Sequence, residues 1–529
     1  MKTYRCKGTI TVFLSLISVL FLSLLCTTME SSRIQGARAK AAAVLDMGMF
    51  SVFGEYENCV LEQYDVFFLD GACGDGSYSQ KKLKEKLQAY MEYNVNPNKE
   101  ILFKGYDPFP LELENVQVTG VALATDQKGN AFYQQAVGFM HENLATEAVS
   151  VWMERSRQAE DLERAEKRYE EKEKSNHTSL KSLQQQQEEQ KQKEEQKKAE
   201  EKNAQEEQEY LPAETESEKQ EFPAAQNPLE TIKQIRKRGL LGLVLDEKEQ
   251  QISNKVLTSD IPSRRKCRQG NLKSEKTYSG VTSNVFFQEY LFGRFPSYTR
   301  QLQMEQPLDY GLEYILCGQN SDKKNLKNVA KRLLALREGA NFLYLASDPA
   351  RKAEADALAA LITGAVPVPG LQVATSYALL LVWAYGESLL DLRSLFAGGK
   401  VPVWKNGASW RLDLQKIPSI LEQLESPGGM DGSGLDYEGY LQILFTMGKQ
   451  SAYSMRALDL LEGVIRKNTD NIKFRVDQAI VKMEAKAEYQ IRPIFLKIAH
   501  TFLRTGNRKL KYNINGRFAY YKWQIEEVT

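Results

Sequence analysis

Histidine is scarce in this chain, whose 529 residues include three copies far apart in the sequence: His141, His177 and His500. A histidine-based metal site or a Ser/His/Asp triad would therefore depend on a single histidine. The sequence also lacks Cys-x-x-Cys, Gly-x-x-x-x-Gly-Lys-Ser/Thr and Gly-x-Ser-x-Gly, which are typical of redox, phosphate-binding and acyl-transfer sites. We accordingly assign no catalytic residue, no cofactor-binding residue and no metal ligand, and we expect no cofactor.

An excess of either charge is also missing. The chain has 70 basic and 69 acidic residues, which leaves a net charge of +1. No overall field of this protein would attract nucleic acid, so nucleic acid is not an expected partner.

Cysteine is too sparse for a disulfide framework, with six copies in a chain of this length. Two of them belong to the N-terminal head and the apolar segment described below. The other four permit three pairings: Cys59, Cys73, Cys267 and Cys317. The spacing of Cys59 and Cys73 allows a local bridge, and two buried thiols are the alternative.

An uncharged apolar run at residues 9–28 is the most informative feature present, and it follows a short basic head at residues 1–8. About 20 residues at ~1.5 Å per residue match a hydrocarbon core of ~30 Å. We expect a retained single-pass anchor with the head in the cytoplasm and the bulk of the chain outside the cell. The alternatives are a signal peptide cleaved near Ala37-Arg38-Ala39 and a lipoprotein modified at Cys26.

The N-terminus resembles that of TadE/TadG-like proteins of bacterial tight-adherence (Tad) pili. The resemblance rests on Lys7-Gly8 before the apolar helix, on Glu30 and Arg33, and on the alanine-rich run that ends in Ala41-Ala-Ala-Val. Phe13 departs from the pattern, because that family has glutamate five residues after the glycine. The resemblance implies that the anchor helix packs with other pilin-like or surface-assembly proteins.

The longer layout is similar to that of DUF5702, a family of unknown function from Gram-positive anaerobes. The shared features are a TadE-like head, a charged middle and a tyrosine-rich tail around Tyr512, Tyr520 and Tyr521. This resemblance carries no activity with it.

The pattern predicts an α+β protein. Residues 29–149 form a small membrane-proximal α+β domain, in which the anchor helix continues and strands fall at 64–69 and 116–124. Residues 150–225 form a charged helical or disordered spacer, because Glu154 to Gln208 are almost all Glu, Lys, Gln, Arg and Ala and contain no hydrophobic heptad seam. A linker at 226–275 follows.

Residues 276–529 form a mostly helical α+β domain in this prediction. Its longest apolar stretch, residues 371–392, contains Glu387 and Asp391, and each charge at mid-bilayer would cost about 2.5–3.5 kcal/mol. We therefore expect a buried core helix there, with a second membrane span as the alternative. Alternating residues on both sides of Asn515-Gly516 predict a terminal β-hairpin.

Two acidic, glycine-rich loops raise the question of calcium: one runs from Asp70 to Gly76 and the other from Asp431 to Asp436. A calcium loop of the EF-hand kind needs oxygen ligands at its first, third and fifth positions. Ala72 stands at the third position of the first loop and Leu435 at the fifth of the second. Turn and helix-cap roles are therefore favoured for both loops.

These observations predict a non-catalytic, membrane-anchored extracellular protein, a pilus or surface-assembly component, in which the anchor run and Glu30/Arg33 matter most. The alternative is an anchored enzyme or ligand-binding module with its site in the C-terminal domain. A sensory ectodomain comes third, because a head of residues 1–8 has no room for a signalling domain. A pocket with converging acids or a metal in the C-terminal domain would favour the alternative; without one, the structural role stands.

Overall fold

The computed structural model describes residues 8–96, 107–143, 146–205, 227–245, 252–273, 277–364, 368–425, 433–495, 512–521 and 524–527. The chain forms two compact units. Unit 1 comprises Met1–Glu142, Asp260–Ser279 and Ala457–Thr529, and unit 2 comprises Asn143–Ser259 and Gly280–Arg456. The fold is α+β, as the sequence predicts.

The helices and strands, in chain order, are α1 (Thr9–Phe53), α2 (Asn58–Tyr64), β1 (Leu69–Asp70), α3 (Gln80–Val95), β2 (Leu111–Leu123), α4 (Asp126–Asn143), α5 (Thr146–Gln205), α6 (Pro228–Ile235), α7 (Leu240–Val244), α8 (Val281–Arg294), α9 (Gly311–Cys317), α10 (Asp322–Ser347), α11 (Pro349–Thr363), α12 (Leu371–Phe396), α13 (Ile420–Glu425), α14 (Tyr437–Met447), α15 (Gln450–Asn468), β3 (Ala479–Ile491), β4 (Tyr512–Tyr521) and β5 (Gln524–Glu527).

Helix α1 is continuous from the apolar run into the core of unit 1. None of its most apolar window is buried, and the window is long and apolar enough to cross a membrane. From Glu30 onward the helix buries one face, which includes Ala41, Leu45 and Met49. Small residues let it approach closely, since a Cβ at Gly48 would lie 2.6 Å from the Cγ of Met91 on α3. The predicted continuation of the anchor helix beyond the membrane segment is confirmed.

The sheet of unit 1 is arranged around β3. Strand β2 pairs with it antiparallel along one edge, from Leu111 opposite Ile491 to Leu123 opposite Ile480. Strands β1 and β4 pair with the other edge, and β5 pairs with β4. Alternate residues of β3 are buried, as expected of a strand with one face on a core. Tyr489 from this face donates a hydrogen bond to the carbonyl of Ala41 on α1, at 3.0 Å.

The predicted terminal β-hairpin is present, since the last two strands, β4 and β5, pair antiparallel, but the prediction that it turns at Asn515-Gly516 is wrong. Both residues lie within the continuous strand β4, opposite Glu488 and Ala487 of β3. The 13-residue strand β3 offers a long edge, and a chain that turned at Asn515 would leave part of that edge unpaired. Backbone pairing with β3 therefore overrides the local turn preference.

The division of the chain also differs from the predicted domains. The strand predicted at 116–124 exists within β2, whereas only Leu69 of the strand predicted at 64–69 belongs to a strand, the two-residue β1. The central partner of both strands, β3, comes from residues 479–491. Residues 29–149 and 276–529 are therefore not separate folding units. The sheet that joins them could not be inferred from segment-by-segment patterns.

Helix α12 lies at the centre of unit 2, where it packs with α5, α10 and α11. In its most apolar window 83% of the residues are buried within the protein. A lipid-facing helix would expose this surface, so α12 is the predicted core helix rather than the alternative second span.

Helix α5 contains most of the charged segment predicted as a spacer, and its first half is packed rather than solvated. A stripe of residues three or seven apart is buried: Trp152, Ala159, Leu162, Tyr169 and Asn176. Asn176 donates to the carbonyl of Ala374 on α12 at 3.0 Å. The sequence pattern does not reveal this stripe, because the small Ala159 and the polar Asn176 give no hydrophobic signal among the many exposed Glu, Lys and Gln residues around them.

Candidate functional site

Two acids on α12 form the centre of a buried ion network in unit 2. Glu387 and Asp391 are one helical turn apart and therefore on the same face, and both are fully buried. Buried carboxylates require cations and hydrogen-bond donors around them. The structure supplies these from α10 and from the segment that follows α12.

Asp391 contacts three cations. Its Oδ2 accepts from Arg337 Nε at 3.0 Å, and its Oδ1 lies 2.9 Å from Arg411 Nη2 and 2.6 Å from Lys405 Nζ. Burial opposes ionisation of this carboxyl, but Lys405, Arg337 and Arg411 outweigh it and hold the pKa of Asp391 well below its usual range. These cations therefore favour the ionised form of Asp391 in the folded protein.

Glu387 organises the segment after α12. It pairs with Lys405 and accepts from the backbone N–H of Leu412 at 2.8 Å. Arg337 is fully buried, and its Nη1 donates to the Val403 carbonyl at 2.8 Å. These bonds fix the backbone on both sides of Lys405, which, like Arg411, pairs with both Glu387 and Asp391.

A cavity of about 440 Å³ adjoins this network, within the size range of small-molecule sites. Its lining residues are Asp391, Lys400, Val401, Pro402, Lys405, Asn406, Ala408, Ser409, Arg411 and Ser433. Lys400 is exposed and the side chain of Arg411 is 36% exposed, so a ligand in solution can reach both. Glu387 and Arg337 contact these lining residues from inside the protein. Together the site has four cations, Lys400, Lys405, Arg411 and Arg337, and two carboxylates. This excess of positive charge favours an anion as ligand.

Sequence reasoning identified the two acids of this site only as charges that oppose membrane insertion. It missed Lys405, Arg411 and Arg337, which belong to no motif. One signal could have found them. Two acids on the buried face of an apolar helix demand cations elsewhere in the fold.

Another buried acid, Glu313 on α9, does not line the cavity. Its Oε1 accepts from the backbone N–H of Tyr298 at 2.9 Å and from the hydroxyl of Tyr437 at 2.8 Å. Burial without a cation raises the pKa of Glu313 to about 7. This group makes the stability of unit 2 dependent on pH.

The two loops considered for calcium serve as turns and caps where they are described. Asp70 accepts from the N–H groups of Ala72 and Gly74 at 2.9 and 2.7 Å, and Asp436 caps α14 through Gly439 at 2.8 Å. Asp431 lies outside the described residues. Across the part of the chain that the structure describes, no group of three or more His, Cys, Asp or Glu side chains could hold a metal ion.

Among the residues that the structure describes, the histidines and cysteines do not form a site either. His141 packs against Tyr278, His177 is exposed, and His500 lies outside the described residues. No disulfide joins Cys59 to Cys73. Burial raises the pKa of both thiols, so neither is an activated nucleophile.

Glu30 and Arg33, which the sequence singles out beside the anchor, lie together in unit 1. They form a buried ion pair, and Arg33 also donates to the carbonyl of Arg492. The Oε2 of Glu30 accepts from the backbone N–H groups of Ile494 and Phe495 at 3.1 and 2.8 Å. The pair thus attaches the end of the β3 segment to the helix just beyond the apolar run.

Fold and site together define an α+β protein with a membrane-length N-terminal helix and a charged cavity in its helical unit. The chain belongs to the family of unknown function DUF5702, whose model matches residues 217–491, slightly more than half of the chain. No curated protein matches the chain, and no solved structure does. The matched region includes α12 and every residue that lines the cavity.

Proposed function

We propose that the protein is a non-catalytic, membrane-anchored component of the cell surface, held in the membrane by residues 9–28 with both folded units outside the cell. One observation carries this proposal: α1 has an apolar window of which none is buried, and it continues without a break into the core of unit 1. A cleaved signal peptide would not be expected to continue as one helix into the core of the folded protein.

The proposal extends to pilus or surface assembly of the TadE/TadG-like kind. Its support is the resemblance of the N-terminus together with the length of α1, whose 45 residues form one rod. In an assembly the lipid-embedded half of α1 would pack with the helices of other subunits, while the other half already packs against the rest of unit 1.

Fractionation and protease shaving of intact cells test the anchor and its sidedness together. The full-length chain should remain in the membrane after high-salt and carbonate washing, because charge screening does not displace an apolar helix of ~20 residues. Protease added outside should degrade both units. Recovery of a soluble chain that starts near Lys40, or complete protection in intact cells, would contradict the proposal.

The cavity favours a second candidate function, an anchored ligand-binding module. Its excess of cations, with Lys400 and Arg411 exposed, suits a small anion that carries carboxylate or phosphate groups. Calorimetry with citrate and with inorganic phosphate tests this function in the detergent-solubilised protein. Saturable binding that Lys400→Glu weakens, and that the exposed control Lys352→Glu leaves unchanged, supports it. Absence of saturable binding by both anions contradicts it.

A further inference from the structure

The direction of unit 1 relative to its anchor follows from contacts at three levels along α1. Glu30 holds the backbone of Ile494 and Phe495, Ala41 accepts from Tyr489, and the segment after α1 meets Asn471 through Glu57 at 3.0 Å. Helix α1 therefore leaves the apolar run alongside the C-terminal end of β3 and ends beside the segment that precedes β3. The C-terminal end of β3 is the end nearest the membrane.

The chain just after β3 lies at the level of the membrane surface if residues 9–28 span the bilayer. Glu30 is two residues beyond the end of this run, a rise of about 3 Å along the helix. Its carboxylate bonds directly to the backbone of residues 494 and 495. Those residues cannot be more than a side-chain length from the lipid headgroups.

The side chains at this level are apolar and exposed. Ile494 is 37% exposed, Phe495 is 40% exposed and Met29 is 51% exposed. Such side chains gain free energy by entering the boundary between headgroups and acyl chains. The surface is continuous with the apolar run, whose own side chains are exposed in the same way. Because these side chains form one exposed apolar surface with the apolar run, lipid is the partner that this surface contacts.

We propose that Ile494, Phe495 and Met29 form a lipid-contacting patch that seats unit 1 on the membrane surface. The inference rests on the proposed anchoring function. Since α1 runs unbroken into the core, the patch and the span belong to one rigid body. Two contacts with the bilayer then fix the tilt and the rotation of α1, which a lone span would leave to its surroundings.

Photo-crosslinking from matched phenylalanine positions tests the patch. The full chain is reconstituted in vesicles of phosphatidylcholine and phosphatidylglycerol, with Phe495→benzoylphenylalanine as the test position. Phe21→benzoylphenylalanine reports on the span, and Phe50→benzoylphenylalanine is the control on the same helix. Phe21 and Phe50 are 65% and 60% exposed, so exposure alone does not separate them. Phe50 is 20 residues beyond Glu30, or about 30 Å further along α1.

We expect lipid adducts at positions 21 and 495 that exceed those at position 50 several-fold. Adducts at position 21 with position 495 no higher than position 50 would overturn the patch and leave the anchor standing. Absence of adducts at position 21 would overturn the anchoring function itself, and the patch with it.

Discussion

Asp391 is the residue on which the ion network of unit 2 converges. It is fully buried, and so is Arg337, its partner from α10. Breaking a buried pair costs more than the pair itself contributes, because the remaining charge loses its compensation. The exposed pair Lys174–Glu170 on α5 provides a contrast, since water solvates both of its members.

Asp391→Asn should lower the free energy of unfolding of unit 2 by about 3–5 kcal/mol, because Arg337, Lys405 and Arg411 would then share the charge of Glu387 alone. The control Glu170→Gln should change it by less than about 1 kcal/mol. Urea unfolding of the solubilised protein, followed by tryptophan fluorescence, measures both. Equal transition midpoints for the two variants would refute the central role of Asp391.

Glu313 introduces a pH dependence whose sign follows from its raised pKa. The folded protein keeps the proton up to about pH 7, whereas the unfolded chain loses it near the ordinary value of 4.5. The folded state thus binds more protons in between, and the free energy of unfolding falls as pH rises from 4.5 to 7. Over this pH range Glu313 lowers the free energy of unfolding by about 3 kcal/mol.

Glu313→Gln should make this fall shallower, which unfolding at several pH values between those limits would reveal. Some slope remains, because burial also raises the pKa of Glu338 to about 7. An unchanged slope in the variant would show that Glu313 does not hold a proton in the folded state.

At the scale of elements, α5 shows how a highly charged helix becomes part of a core. It crosses α10 so closely that a Cβ at Gly339 would lie 2.5 Å from the backbone nitrogen of Glu166. Small residues on both helices, such as Ala165, make this approach feasible. The charged residues of α5 occupy the other faces, where they form pairs one turn apart such as Lys167–Glu163.

Gly339→Ala should therefore destabilise unit 2 by about 1–3 kcal/mol, because backbone atoms of α5 would have to move. Gly293→Ala is the matched control, since nothing lies within 4 Å of its added Cβ on α8. That change should be neutral or slightly stabilising, as alanine is the better helix former. The melting temperatures of the two variants are compared by thermal unfolding. An equal change in melting temperature for both would argue against the close approach of α5 and α10.

At the scale of the whole molecule, unit 1 is assembled from three separate stretches of chain. Its central strand β3 comes from the C-terminal stretch, and the strands beside it come from both ends of the sequence. Helix α1 covers part of the resulting core and also carries the apolar run. Helix α1 and the sheet therefore depend on each other.

Truncation after residue 470 removes β3, β4 and β5, and it should unfold unit 1 while unit 2 stays folded. Strands β1 and β2 would lose their shared partner, and the apolar face of α1 would lose part of its cover. Hydrogen exchange should show lost protection in α3 and β2 and retained protection in α10 and α12. A control truncation after residue 523 removes β5 alone and should preserve both units. Equal hydrogen-exchange protection of α3 and β2 in the two truncated chains would contradict a unit 1 that is built around β3.

Several features were determined by the sequence alone, because their signal lies in consecutive residues. The apolar run at 9–28 predicts the exposed half of α1, and helical spacing beyond it predicts the buried half. Likewise, Glu387 and Asp391 within an apolar stretch indicate a core helix, since buried acids can find cations in a protein and not in lipid.

Only the tertiary structure decided which segments meet. Glu30 binds residues 494 and 495, and β2 pairs with a strand more than 350 residues further along the chain. Asn515-Gly516 favours a turn by itself, yet it becomes strand once β3 offers a partner. The cations of the cavity carry no local pattern, because ion pairs are selected by proximity in the folded chain and not by spacing along it. Contacts of this kind depend on the free energy of the whole fold, to which no single window of the sequence gives access.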